Sequence, residues 1–114
     1  MKDQLFLLRP GFSNAGLGPL YCGDSVPVEG MLSFFPQLRD LVDVHYLEFP
    51  RPRAALVDLL GEEHQGVPVL VLAEDRDLKA DAPETSKTKG QRFLAAEKDI
   101  RRYLSVQYGL PQAG

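Results

Sequence analysis

"VPVLVLA", Val67 to Ala73, is the stretch on which the fold turns. Every position is β-branched or apolar apart from the proline, without the polar alternation of a half-exposed strand, so it reads as a strand covered on both faces. Pro68 stands near its start, where a missing ladder donor costs least. Towards the N-terminus a second run of the same kind, "LFLL" at Leu5 to Leu8, is ended by Arg9-Pro10-Gly11, and the glycine-rich stretch that follows as far as Pro19 reads as a flexible loop. From Ser25, a residue suited to an N-cap, Val28, Met31, Leu32 and Phe35 recur at helical spacing until Pro36. "DVHYLEF", Asp43 to Phe49, predicts a strand, and "RAALVDLL" after Pro50 and Pro52 predicts a helix ended by Gly61.

On the C-terminal side, Glu74 to Gly90 is polar and charged and predicts a mobile insertion, residues 74–90. "QRFLA" follows as a short fourth strand. Ile100, Tyr103, Leu104 and Tyr108 then mark one face of a closing helix, with Gly109 and Pro111 as stop signals. The order β-α-β-α-β-β-α describes an α/β domain with a central four-stranded mixed sheet and helices on both faces. Strands joined by a helix are expected to pair in parallel, and the last two strands to form a hairpin.

At 114 residues, 44% hydrophobic and 25% charged, the chain suits one globular domain, 1–114. A net charge of -3 with lysines and arginines interleaved among acids leaves no basic stripe, which argues against nucleic acid as a partner. No apolar run approaches the length of a membrane span or a signal-peptide core, so no membrane partner and a cytoplasmic location are expected. The single cysteine, Cys22, excludes an internal disulfide. Any redox role therefore needs glutathione, a protein thiol or a second copy of the chain.

Three local features occupy places where thioredoxin-fold proteins carry their chemistry. "CGDS", Cys22 to Ser25, lies between the first strand and the first helix and resembles the Cys-Gly-Phe-Ser motif of monothiol glutaredoxins, with Asp24 in place of the phenylalanine. "GVPVL" resembles the segment that supplies that fold's cis-proline, here Pro68. "FLAAEKDI", Phe93 to Ile100, resembles a glutaredoxin segment whose aspartate, here Asp99, binds the glutathione amine; Ala95 and Ala96 stand where that segment has two glycines. Along nearly its full length the chain is also similar to a family of small bacterial thioredoxin-fold proteins of unassigned function, through Leu5 to Phe12, Phe49 to Arg53 and Val67 to Leu72. The resemblance implies a thioredoxin-like (glutaredoxin-like) fold.

Each candidate has a plainer alternative. A helix N-terminus stabilises a thiolate at Cys22 and Ser25 adds a hydrogen bond, whereas Asp24 and Glu29 bring opposing negative charge, and an isolated cysteine also serves as a small apolar residue. A cis Pro68 sets the backbone of Val67 beside the thiol, where an extended peptide or glutathione would bond; otherwise the proline merely starts a strand. Asp99 in a first helical turn also serves the helix dipole alone. Arg9, with Arg51 and Arg53, offers a fork for a carboxylate or is a solvated surface charge. His45 and His64 lack metal-ligand spacing, so no metal site is expected.

Two functions follow. One is a monothiol glutaredoxin-like, glutathione-dependent thiol-disulfide oxidoreductase in which Cys22 is the nucleophile, Ser25 assists, and Val67, Pro68, Asp99 and Arg9 bind the ligand. It requires no cofactor and takes glutathione or a protein thiol as partner. The Cys-Gly-x-Ser pattern also permits an iron–sulfur cluster bridged by two copies and two glutathiones, without other cluster signatures in the chain. The alternative is a non-catalytic thioredoxin-fold interaction module, acting as a homodimer, with Cys22 inert.

Overall fold

The computed structural model describes residues 1–78 and 83–114. Strand β1 (Asp3–Leu8) is the centre of a mixed sheet, as its uninterrupted apolar run predicts. It pairs in parallel with β4 (Val42–Leu47), from Asp3 opposite Val42 to Leu8 opposite Leu47. On its other side β5 (Val69–Val71) runs antiparallel, with Phe6 opposite Val69. Strand β7 (Arg92–Leu94) is antiparallel to β5, and β6 (Glu84–Thr85) is antiparallel to β7. The order across the sheet is β4-β1-β5-β7-β6.

Among the described residues the sheet thus has five strands where the sequence predicts four. The extra strand, β6, is two exposed polar residues, too short to carry a pattern of alternation. A second difference concerns direction. Helix α3 (Ala54–Leu60) joins β4 to β5, yet these strands do not pair and run in opposite directions on either side of β1. Seven helical residues rise only about 10 Å, half the roughly 20 Å of a six-residue strand, and the chain from Gly61 to Pro68 turns back instead of crossing. β5 therefore enters the sheet at the edge where β1 and β4 end.

Two further elements depart from expectation. The glycine-rich loop after β1 is a hairpin, β2 (Phe12–Asn14) with β3 (Leu17–Leu20), turned at Ala15 and Gly16 and separate from the main sheet. Phe12 stacks on Phe49 with ring centroids 4.5 Å apart, which fixes the hairpin against the β4–α3 connection. A short helix, α2 (Leu38–Leu41), lies between α1 (Ser25–Phe34) and β4; its Leu38 is fully buried.

The alternation of β1 divides two cores. Leu5 and Leu7 face α1 and the C-terminal helix α4 (Glu97–Tyr108), packing with Val28, Leu32, Ile100 and Leu104. Phe6 faces α3 on the opposite side, with Leu56, Leu60, Val69 and Phe93. Helices cover both faces, which is why neither β1 nor β5 alternates in sequence. Gly109 ends α4 in the left-handed region at φ 66°, as a C-terminal glycine does.

A polar pin closes the first core. The carboxylate of Asp3 is fully buried and accepts hydrogen bonds from the amide of Ala73 (2.7 Å), from Arg76 Nε (3.2 Å) and from the hydroxyl of Tyr103, tying β1 to the exit of β5 and to α4. Burial, then the bond and charge of Asp3, pushes the Tyr103 hydroxyl far above its ordinary range. Residues 79–82, the middle of the predicted insertion, lie outside the described residues. At its far end the buried Ser86 hydroxyl donates to the carbonyl of Leu60 (2.5 Å) and anchors the approach to β7 on α3.

Candidate functional site at the strand ends

The carboxyl ends of β1 and β4, the start of β5 and the start of α1 meet at one edge of the sheet. Crevices outside strand ends form there because the helices diverge from the sheet as the chain changes direction. The β2–β3 hairpin returns the chain to this edge, with Gly11 donating its amide to the carbonyl of Leu20 (2.7 Å), and delivers Cys22 to the turn before α1. Ser25 is the first helical residue, not the expected cap. Asp24 occupies the cap position without a capping bond, and Ser25 Oγ instead accepts the amide of Leu8 across 3.2 Å in a buried contact. That bond ties the helix start to the end of the central strand.

Cys22 is half-buried, and its Sγ stands 4.0 Å from the carbonyl oxygen of Val67, the outer reach of an S–H···O contact. The Val67-Pro68 peptide is cis, as are Gly18-Pro19 and Arg51-Pro52. The thiol, Val67 and Pro68 thus come together although 45 residues separate Cys22 from Val67.

Beside the thiol opens a cleft of about 320 Å³, walled by Leu7, Leu8, Pro10 and Val26 and by the polar groups of Arg9, Tyr21, Ser25, Glu29 and Tyr46. Two of these wall residues, Glu29 and Tyr46, form a closed polar cluster with Arg39 of α2. Tyr46 donates to Glu29 Oε2 (2.7 Å), and Arg39 donates to Glu29 Oε1 (2.9 Å) and to the Tyr46 hydroxyl (3.2 Å). Burial raises the Tyr46 hydroxyl above its ordinary value; the Arg39 hydrogen bond opposes this, and the bond and charge of Glu29 add to it. Arg39 compensates the negative charge of Glu29 inside a cleft that also holds the thiol. Arg9 pairs at the surface with Glu48 (2.9 Å) and reaches the Tyr46 carbonyl at 3.5 Å.

Arg53, at the start of α3, is a buried charge. Its guanidinium donates to the carbonyls of Gln65 and Phe49, both at 2.7 Å, while its backbone amide donates to Gln65 Oε1, also at 2.7 Å. Burial lowers its proton affinity, and the charge of Arg51 lowers it further. A cation placed just before α3 opposes the helix dipole, and that conflict is the sequence signal that Arg53 has partners elsewhere.

Asp99 lies apart from the cleft walls. Its carboxylate sits in the first turn of α4 and pairs with Arg102 one turn on, at 3.0 Å. Among the described residues no group of three or more His, Cys, Asp or Glu side chains converges as a metal site would, and no helix is long and apolar enough to cross a membrane.

A family model described as "Protein of unknown function (DUF3088)" matches residues 2–112. The chain belongs to this family. The match spans nearly the whole chain, both cores and every residue of the cleft included. Neither a curated protein nor a solved structure matches the chain.

Proposed function

We propose that this member of the family is a thioredoxin-like, glutathione-linked thiol protein with Cys22 as its nucleophile. What carries the proposal is the position of Cys22 Sγ, 4.0 Å from the Val67 carbonyl at the mouth of a cleft next to a helix start. The order of the main elements supports the fold assignment: with the hairpin, α2 and β6 set aside, it reads β-α-β-α-β-β-α. In the reaction, the Cys22 thiolate attacks the glutathione sulfur of a mixed disulfide, forms a Cys22–glutathione disulfide, and releases the other thiolate, which takes a proton. A second glutathione thiolate then attacks the Cys22-bound glutathione sulfur. Oxidised glutathione leaves and the Cys22 thiolate is regenerated. Ser25, whose oxygen already accepts the amide of Leu8, keeps its own proton to donate to the sulfur. Val67 offers its backbone to the extended ligand, and Arg9 at the cleft edge suits a glutathione carboxylate. Such chemistry belongs in a reducing, glutathione-rich compartment, the cytoplasm.

One observation favours a non-catalytic interaction module instead. Asp99, the residue the resemblance assigns to the glutathione amine, is already engaged by Arg102. The experiment that separates the readings is reduction of a glutathionylated peptide by the purified protein with excess glutathione. Turnover lost in Cys22→Ser supports the thiol protein; no rate above the glutathione background leaves the interaction module.

A further inference from the structure

Val67 is carried to the thiol by a loop, residues 61–68, that lies between α3 and β5. Within it the amide of His64 donates to the carbonyl of Gly61 (3.2 Å), and the His64 ring packs on Phe93 with centroids 4.7 Å apart. At Gln65, two residues before Val67, the hold passes to Arg53. Nη1 of its guanidinium donates to the Gln65 carbonyl, and Gln65 Oε1 accepts the Arg53 amide, each across 2.7 Å. The Gln65 side-chain amide donates back to the carbonyl of Glu62 (3.0 Å), so the side chain is held at both of its polar atoms. A reciprocal clasp of this kind fixes the loop in rotation as well as in distance.

The same guanidinium reaches the other side of the site. Nη2 donates to the carbonyl of Phe49 (2.7 Å), and the guanidinium carbon lies 5.9 Å from the centre of the Phe49 ring. That ring stacks on Phe12 of the β2–β3 hairpin within 5° of parallel, and the hairpin leads on to Cys22. Arg53 thus joins the loop that presents the Val67 carbonyl to the hairpin that delivers the thiol, the two groups that stand 4.0 Å apart. It does so at a cost. Arg53 is only 9% exposed, the acceptors of its guanidinium are neutral carbonyls, and among the described residues its Nε has no hydrogen-bond partner. A buried cation in such company is unfavourable for folding alone, and conflicts of this kind are expected where function requires them.

We infer that Arg53 is the positioning residue of the thiol site: through Gln65 it sets the Val67 backbone, against which the extended part of a disulfide ligand lies while Cys22 attacks its sulfur. The role rests on the reading of Cys22 as a working thiol. A reagent with no peptide to lay on Val67 gains nothing from that setting. Loss of the clasp therefore slows reaction with glutathione disulfide and spares reaction with a small alkylating agent.

The test compares these two reactions in the native full-length protein. With oxidised glutathione the Cys22 thiolate displaces one glutathione thiolate and forms the mixed disulfide; with iodoacetamide it displaces iodide and forms a thioether. Gln65→Ala removes the acceptor of the Arg53 amide at a half-buried loop position, and Arg53→Lys replaces a fork that spans two carbonyls by a single ammonium. Both variants should form the mixed disulfide about tenfold more slowly while their iodoacetamide rates stay within about twofold of the parent. Thermal unfolding identifies a variant that has lost its fold, and Gln65→Ala, which leaves the buried guanidinium and both of its carbonyls in place, is expected to keep it. An equal loss with both reagents in folded Gln65→Ala, or an unchanged rate with oxidised glutathione, would overturn the positioning role while leaving Cys22 a reactive thiol. A parent protein whose native Cys22 resists oxidised glutathione would overturn the thiol reading itself, and the positioning role with it.

Discussion

Replacing Asp3 by alanine tests how much of the fold hangs on one carboxylate. The substitution removes the acceptor for three donors. Of these, the Ala73 amide and the Tyr103 hydroxyl are buried, while the Arg76 side chain, 22% exposed, can turn to water. Each buried donor left without a partner costs about 1–3 kcal/mol. Two of them, offset in part by no longer burying a charge, give an expected loss of about 3–4 kcal/mol. For a domain of this length 1 kcal/mol corresponds to roughly 4 °C, so the thermal midpoint should fall by about 12–16 °C. Tyr103→Phe removes one donor and leaves Asp3 with the other two, and should cost about 1.5–2 kcal/mol. The assay is urea unfolding of both single variants and the double variant. Because the pair shares a hydrogen bond, the double variant should be about 1 kcal/mol or more less destabilised than the sum. A loss below about 1 kcal/mol for Asp3→Ala, or strict additivity, would refute the idea that this carboxylate pins β1, β5 and α4 together.

Alkaline stability follows from the same residue. The Tyr103 hydroxyl titrates above its unfolded value, so its contribution is complete below about pH 10 and is lost as pH rises further, by up to about 1.4 kcal/mol per pH unit; unfolding free energy followed from pH 8 to 11 should show that fall, and Tyr103→Phe should make it shallower. Arg39→Ala leaves the charge of Glu29 uncompensated in the cleft beside the thiol. Stability should change by less than about 1 kcal/mol, because the Glu29–Arg39 pair is nearly half exposed, while the rate of mixed-disulfide formation with oxidised glutathione should fall about fivefold; an unchanged rate would separate this cluster from the thiol. Arg53→Met keeps the bulk but abandons the carbonyls of Phe49 and Gln65, and should cost about 2–4 kcal/mol in urea unfolding; a neutral result would show that these carbonyls find water instead.

What the sequence makes legible is what short-range pattern carries. The unalternating runs of β1 and β5 announce a sheet covered on both faces, and Ile100, Tyr103 and Leu104 with Gly109 fix α4 to within a few residues. The meeting of Cys22 with Val67 is legible too, because the order of elements brings a strand end and a strand start to one edge. The hairpin was hidden by its own composition, since glycine and proline that read as loop also shape its tight turn and bulge. β6 is too short for periodicity, and the reversal after α3 depends on where a loop turns, which no local pattern encodes. The polar contacts are least legible of all. Asp3 finds partners 70 and 100 residues away, and Glu29 meets Tyr46 and Arg39 only once α1, α2 and β4 are packed. Each of these residues looks like an ordinary surface polar group until the fold brings its partners together.

The central claim is that Cys22 is a working thiol at the cleft mouth, and the most direct measurement is intact-mass spectrometry of the native protein after incubation with oxidised glutathione. The account predicts one glutathione added per chain within minutes without denaturant, removal of the adduct by reduced glutathione, and no adduct in Cys22→Ser. A native protein that stays unmodified, and reacts at Cys22 only after unfolding, would contradict it.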